Sequence, residues 1–279
     1  MIPIDEISNF PNHPFKVLDD EKMIETVASV KKHGVIFPAI VRKKKDGSYE
    51  MVAGHRRKRA CQIAEITEMP CLVRNLTDEE ATILMVDTNV QREKILPSER
   101  AFAFKMKLEA IKKQGKRVDL TSTPSGEKLS VDIIAEEFGI SREQVRRYIR
   151  LTELIPELLE MVDKEQIALR PAVEISYISK QDQKELLDAI LLNEATPSEK
   201  QAKDLRELSQ KGVLNRDKIE EILSEEKPNQ IEQVKFTVDK IRSYFPKGYT
   251  IDQMQKIMQK LLEEYHARWQ RKIQARESR

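Results

Sequence analysis

"VDIIAEEFGISREQVRRYIR", residues 131–150, decides the reading of this chain. A helix-turn-helix needs a small residue where its two helices cross and a residue in the turn that tolerates the left-handed conformation. It also needs apolar side chains at fixed offsets to join the helices. Ala135 is the small residue, and Gly139 sits four positions later in the turn. Ile134, Phe138, Ile140, Val145 and Tyr148 supply the apolar contacts, and Ser141 can cap the second helix with Gln144 three residues on. That second helix is expected to expose Ser141, Arg142, Gln144, Arg146, Arg147 and Arg150. Arginine reads guanine bidentately in the major groove and also clamps phosphates. Ser141, Arg142 and Arg146 are therefore the base-edge candidates, and Arg147 and Arg150 the phosphate candidates. An ordinary helical hairpin with a basic outer face shares the turn glycine. All offsets matching at once, on an arginine-rich face, favour DNA.

The surroundings of this hairpin are helical. "LPSERAFAFKMKLEAIKKQG" sets Ala101, Phe104, Leu108 and Ile111 on one face, with proline at the start and Gly115 as the expected stop. Residues 116–128 carry turn residues without a period and read as a loop. Thr196-Pro197-Ser198-Glu199 marks another helix start, and 224–230 reads as a charged linker. After it come a short strand candidate, "QVKFTV", and a long helix from Thr250.

The first 95 residues mix helices and strands. Met23, Ile24, Val27 and Val30 recur at helical spacing over Asp20 to Lys32, and Gly34 ends the run. "PAIVRKKKDGSYEMVAG" reads as two strands joined at Asp46-Gly47. A helix from about Arg56 to Glu65, a short strand in "MPCLVRN", and a helix opened by a Thr77/Glu80 capping box follow. The fold class is α+β: a small mixed domain at 1–95, a helical domain at 96–223 and a mostly helical segment at 231–279.

Composition narrows the class further. With 39% apolar, 34% charged and only 5% aromatic residues, the cores are small and aliphatic. No apolar run approaches the ~18 residues that span a bilayer, and "MIPIDEISNF" lacks the basic and apolar regions of a signal peptide. A cytoplasmic protein with no membrane partner is expected. Cys61 and Cys71 read as reduced thiols, and the four histidines have no metal-ligand spacing. Net charge is only +2, yet basic residues gather at 42–45, 56–59, 142–150 and 268–279, which suggests specific anion contacts.

One of those blocks lies in "MVAGHRRKRACQIA", residues 51–64. A glycine between a strand and a helix lets an anion approach the backbone, where free N–H groups and the positive end of the helix dipole meet it. Arg56 and Arg57 add charge-assisted hydrogen bonds. The block fits a phosphate, from a nucleotide or from a nucleic-acid backbone. A helix start that happens to be basic is the plain alternative. "TNVQRE", residues 88–93, adds two amides and an arginine just past the next helix.

These pieces together resemble the ParB family of DNA-partition proteins, over roughly residues 1–200. "GVIFPAIVRKKKDGSYEMVAGHRRKRACQIA" resembles the family's G-x-x-Q-P strand pair followed by G-E-R-R. "TNVQREKILPSERA" resembles its E-N-x-Q-R-x-x-L-x-P-x-E-x-A block, and the helix-turn-helix with "LTELIPELLEMVDKEQIAL" resembles its DNA-binding domain. The resemblance implies a sulfiredoxin-like N-terminal domain that binds CTP with Mg²⁺. It also implies specific double-stranded DNA, bound at a palindromic site by a homodimer, and a sliding clamp that works with a ParA-type ATPase on the nucleoid. Slow CTP hydrolysis would reset the clamp. By position, Gly54, Arg56 and Arg57 would hold the triphosphate, Gly34 and Pro38 would border the nucleotide, and Asn89 would help coordinate the metal. Gln91 and Arg92 would complete the pocket. His55 stands where the family has glutamate, Thr88 where it has an acidic residue (Asp87 lies one position earlier), and Phe37 where it has glutamine. A threonine hydroxyl is a much weaker metal ligand than a carboxylate.

At the C-terminal end, Ile251, Met254, Met258, Leu261 and Tyr265 form an apolar seam, widened by Leu262 and Trp269. It fits a partner helix or its own domain equally. The family's C-terminal dimerisation favours the partner helix. Two other functions stay open: a helix-turn-helix transcription regulator that no longer uses nucleotide, favoured by Thr88 and Phe37, and an enzyme built on the N-terminal fold. The enzyme would need a carboxylate cluster or an activated nucleophile near Arg56, and the sequence places none there.

Overall fold

The computed structural model describes residues 1–44, 46–90, 95–118, 126–225, 242, 244–246 and 248–277. The chain forms two compact units, Met1–Glu225 and Glu226–Arg279.

In the first unit, β1 (Ile2–Pro3) pairs antiparallel with β5 (Glu68–Met69). A four-stranded sheet has the order β2-β4-β3-β6, from β2 (Ile7–Ser8), β3 (Ala39–Lys43), β4 (Tyr49–Ala53) and β6 (Cys71–Arg74). The central β3–β4 pair is the expected antiparallel hairpin, in a register that sets Val41 opposite Met51 and Lys43 opposite Tyr49. Its loop is longer than the two-residue Asp-Gly turn the sequence suggests. Lys44 and Ser48 close it, N–H to carbonyl, at 2.8 Å, and the Asp46 carboxylate accepts from the Ser48 N–H and hydroxyl inside it.

Helix α1 (Glu21–His33) starts where Asp20 accepts the Met23 N–H at 2.9 Å, and stops at Gly34, whose N–H reaches Val30 O. Helix α2 (His55–Ile63) follows β4 directly. One core joins α1, α2 and the sheet through Met23, Val30, Ala39, Val41, Met51, Ala60 and Cys61. Cys61 lies inside it and Cys71 is half-buried against it. Both thiols are free and their pKa values are raised by burial.

Helix α3 (Asp78–Val90) opens on the expected capping box. The Thr77 hydroxyl accepts the Glu80 N–H and the Glu80 carboxylate accepts the Thr77 N–H. It ends later than the sequence suggests, so Thr88, Asn89 and Val90 form its last turn instead of lying past it. Helix α4 (Pro97–Val118) also runs on beyond Gly115. A helical glycine costs ~1 kcal/mol but ends a helix only where the backbone turns left-handed. Gly115 lies inside the helix, not at its end. Helix α5 (Gly126–Glu137) begins before Ser130, so the loop expected at 116–128 is helical at both ends, and 119–125 lie outside the described residues. A second core packs α3 and α4 on the sheet through Phe10, Phe15, Val52, Met85, Val86 and Ala103.

The remaining helices are α6 (Arg142–Arg150), α7 (Pro156–Asp163), α8 (Leu169–Ile175), α9 (Lys180–Asn193), α10 (Glu199–Gln210) and α11 (Arg216–Ser224). α10 starts where Thr-Pro-Ser-Glu predicts, and Ser198 and Gln201 form a full capping box there. Leu151, Leu158, Ile175, Leu186, Leu205 and Ile219 centre the core of α7–α11.

In the second unit, α12 (Ile251–Glu277) is the long helix expected from Thr250. Met254 is buried, while Ile257, Leu261, Leu262, Tyr265 and Trp269 are exposed. Most of the linker at 224–230 and all of the strand candidate "QVKFTV" lie outside the described residues. Among the described residues no helix is long and apolar enough to cross a membrane.

Candidate functional site

Gly54 is built into the start of α2. Its φ of 114° is closed to most side chains, and a Cβ there would stand 2.8 Å from the Ala39 Cβ. Glycine lets β3 and the β4–α2 turn touch, which leaves the first N–H groups of α2 without a side-chain cap.

The four cations after it are each engaged differently. Arg56 pairs with Asp20 at 3.0 Å and Arg59 with Asp19 at 2.6 Å. Those guanidinium bonds hold both carboxyl groups below the ordinary aspartate value. Lys58 is buried, and its ammonium donates to Ile7 O at 2.5 Å and to Asn9 Oδ1 at 3.0 Å. Burial lowers its pKa. Lys58 is thus an internal tie to β2. Arg57 donates only to carbonyls, Phe37 O at 2.5 Å and Pro38 O at 2.8 Å, and burial lowers its pKa too. Among the described residues it meets no carboxylate, so its charge stays available to an anion. His55 is half-buried and meets the His13 ring at a tilt, with ring centroids 3.8 Å apart. Gly34 lies at the end of α1, and Phe37, beside Pro38, is exposed.

At the other half of the expected pocket, the Thr88 hydroxyl and the Asn89 amide nitrogen both donate to Met85 O, at 3.0 and 2.8 Å. Asn89 is buried. Val52, Met85 and Val86 share one core, so α3 rests on the strand that feeds Gly54. Gln91 and Arg92 lie outside the described residues. The residues present at 54–57 fit an anion. The donor set at the end of α3 suits a metal poorly. Thr88 and Asn89 offer neutral oxygens, Asp87 is bonded to Lys107, and no cluster of three His, Cys, Asp or Glu occurs among the described residues.

The hairpin of α5 and α6 has the expected geometry. Gly139 turns with φ 62°, and the Ser141 hydroxyl accepts the Gln144 N–H at 3.2 Å. Ile134, Ala135 and Val145 are buried with Phe104, and Phe138, Ile140 and Tyr148 pack around them. Along α6, Arg146 and Arg147 are exposed. Arg142 is paired with Asp132 at 2.6 Å, and Gln144 is half-buried. Arg150, expected on the open face, instead turns back toward the end of α8. Its guanidinium donates to Ser176 Oγ at 3.1 Å and Ser176 O at 2.8 Å, and lies 4.1 Å from the centre of the Tyr177 ring. Arg206 covers the same ring at 4.0 Å and pairs with Glu174. Nothing in the periodicity of α6 signals this.

Lys107 is a further residue that the helical pattern does not single out as functional. It lies on the buried stripe of α4, between Phe104 and Leu108, and bonds Asp87 and Glu137. A lysine on an otherwise apolar face was the available signal.

A glycine-turned basic helix start on a mixed sheet, followed by a helix-turn-helix in an all-helical region, defines a two-part class of protein. Residues 1–90 match the family model described as the ParB N-terminal domain, and residues 125–208 match the ParB HTH domain. The chain is 32% identical over 206 residues to the chromosome-partitioning protein Spo0J of Thermus thermophilus, covering 74% of this chain and 69% of that one. It is 32% identical over 180 residues to the nucleoid occlusion protein of Lysinibacillus sphaericus, covering 64% of this chain and only 55% of that protein. The C-terminally truncated ParB of Caulobacter crescentus complexed with CTP-gamma-S is similar over 68% of this chain and 96% of that one, at 27% identity and a TM-score of 0.31. The chain belongs to the ParB family.

Proposed function

We propose that this protein is a sequence-specific DNA-binding partition protein that acts as a CTP-gated DNA clamp in chromosome or plasmid segregation. α6 is its reading helix, with Arg146 and Arg147 as the side chains best placed to meet a base edge and a phosphate. Ser141, Arg142 and Gln144 lie at its capped start, and Arg142 would exchange Asp132 for DNA. Arg150 has a different role from the one its position suggests: it anchors the end of α6. The cradle at Gly54, Arg56 and Arg57 holds the triphosphate of CTP, bordered by Gly34 and Pro38, with His55, Thr88, Asn89, Gln91 and Arg92 completing the pocket. Asn89, the Mg²⁺ ligand the family resemblance implies, stands among donors that suit a metal poorly, so no part of this reading is routed through a metal. Any hydrolysis is weak. The exposed apolar stripe of α12 supports a homodimer, which suits a palindromic DNA site, and a ParA-type ATPase is the expected partner on the nucleoid.

The observation that carries the nucleotide half is Arg57, a guanidinium with carbonyl partners only, beside a glycine that no other residue can replace without a clash. Calorimetric titration with CTP beside ATP, GTP and UTP, with and without Mg²⁺, tests it. Selective CTP binding is expected, and it should vanish in Arg57→Ala while specific DNA binding persists.

A second reading, a helix-turn-helix regulator that no longer uses nucleotide, is favoured by one observation: Asp87, the acidic residue nearest Asn89, is held by Lys107. Specific DNA binding that no nucleotide alters would establish it.

A further inference from the structure

Lys107 is 1% exposed, the most thoroughly buried charge among the described residues. Its ammonium bonds two carboxylates on two different helices, Asp87 on α3 and Glu137 at the last position of α5. It also lies 5.7 Å from the centre of the Phe138 ring, in the turn between α5 and α6. Phe138 in turn meets Phe104 of α4 edge-on at 4.5 Å. The two carboxylates are 40% and 45% exposed, so water reaches them but not the ammonium. This asymmetry matters. A carboxylate that leaves is rehydrated at once, whereas the ammonium left behind is buried with half its compensation gone. Either helix moving away therefore raises the cost of the other leaving, since the remaining carboxylate is then the ammonium's only ionic partner, and the two are coupled through one nitrogen.

The elements joined are not arbitrary. Asp87 precedes Thr88 and Asn89 in the last turn of α3, on the candidate nucleotide side. Glu137 and Phe138 carry the turn that aims α6. We propose that Lys107 is a positioning residue that locks the DNA-reading hairpin to α3, so that the arrangement at the end of α3 sets how firmly the hairpin holds DNA. The regulatory part of this rests on the reading of the N-terminal cradle as a nucleotide site. The mechanical part does not.

Lys107→Met tests the lock most directly but leaves two carboxylates facing each other and risks unfolding. Asp87→Asn and Glu137→Gln each remove one charge and keep the shape, so they are the working variants. The full chain would be used, with thermal melts to confirm folding. Hydrogen exchange by mass spectrometry comes first and needs no ligand. Asp87→Asn is expected to slow exchange about tenfold in α5 and its turn, because Glu137 becomes the ammonium's only ionic partner, and Glu137→Gln to do the same in the second half of α3. Changes confined to the mutated helix would overturn the lock. Next, affinity for specific DNA is measured with and without CTP. A nucleotide-dependent ratio is expected in the wild type, collapsing toward one in both variants, while CTP affinity itself stays within about threefold. A ratio that survives in both variants would overturn the regulatory role. So would a wild-type ratio of one when CTP binds. Failure of CTP to bind the wild type at all would sink the cradle reading and the regulatory role with it, leaving the lock to stand or fall on the exchange data.

Discussion

Helices α2 and α6 both begin with arginine-rich sequence, RRKR in one and REQVRR in the other, yet the fold treats the two blocks in opposite ways. At α2 every cation has an internal partner: carboxylates for Arg56 and Arg59, carbonyls for Arg57, a carbonyl and an amide for Lys58. At α6 the central pair, Arg146 and Arg147, stands in solvent. A prearranged cation costs little reorganisation when a compact anion arrives, which suits a single site for one small ligand. A hydrated, mobile arginine suits a long polyanion, where each contact releases a counterion. Local charge density alone says neither. What separates the two blocks is where the rest of the chain places its carboxylates and carbonyls.

The comparison would break most visibly at Gly54. With φ at 114° and Ala39 in the way, Gly54→Val should lower stability by ~2 kcal/mol or more and abolish anion binding at α2. Denaturant melts check it. A stable Gly54→Val protein that still binds CTP would mean the close approach of β3 is not what shapes the cradle. Lys58→Ala comes next. It strands Ile7 O in a buried setting, while the exposed Asn9 can turn to water, so a loss of ~2 kcal/mol is expected in the same melts. Arg59→Ala, one residue on but at the surface, should leave the melt unchanged. Equal effects at 58 and 59 would remove the distinction between a tie and a solvated charge.

At α6 the expected effect is on binding, not folding. Arg147→Ala should weaken specific DNA binding by roughly 5- to 30-fold and lower the salt slope by about one. Its melt should match the wild type, because the side chain is exposed. Arg150→Ala sharpens the contrast. Its guanidinium packs on Tyr177 and Ser176, so this variant should lose stability as well as affinity. If Arg150→Ala weakened binding with no change in the melt, Arg150 would be a DNA contact after all.

These contrasts also show what the sequence made legible. The hairpin of α5 and α6 could be read residue by residue, because its requirements are local: a small residue, a turn glycine, a cap and five apolar offsets. The β3–β4 pair, the capping box of α3 and the start of α10 were readable for the same reason. What could not be read were meetings between residues far apart in the chain. Lys58 with Ile7, Arg57 with Phe37, Lys107 with two helices and Arg150 with Ser176 each depend on tertiary placement. Helix ends are not set by one glycine or one polar run: α4 continues through Gly115, and α3 through Thr88–Val90.

The smallest expected effect concerns acid. Asp19 and Asp20 have pKa values below the ordinary aspartate value, chiefly through hydrogen bonds from Arg59 and Arg56 respectively. A carboxyl depressed in the folded state binds fewer protons there than in the unfolded chain. Its contribution to stability is therefore present above the unfolded value of about 4 and fades as pH falls through the lower folded value. Because both carboxylates are exposed, the contribution is small and screened by salt. Thermal melts of wild type and Asp19→Asn/Asp20→Asn between pH 7 and pH 3 should converge at the acid end and differ slightly at neutrality. The pairing also bears on the cradle, since neutralising Asp20 releases Arg56. If the cradle's charge is held in reserve by Asp20, the double variant should bind a triphosphate at least as tightly as wild type at pH 7. Weaker binding would mean that Asp20 fixes Arg56 in place for the ligand, and the prearranged character of α2 would be confirmed at the cost of its reserve.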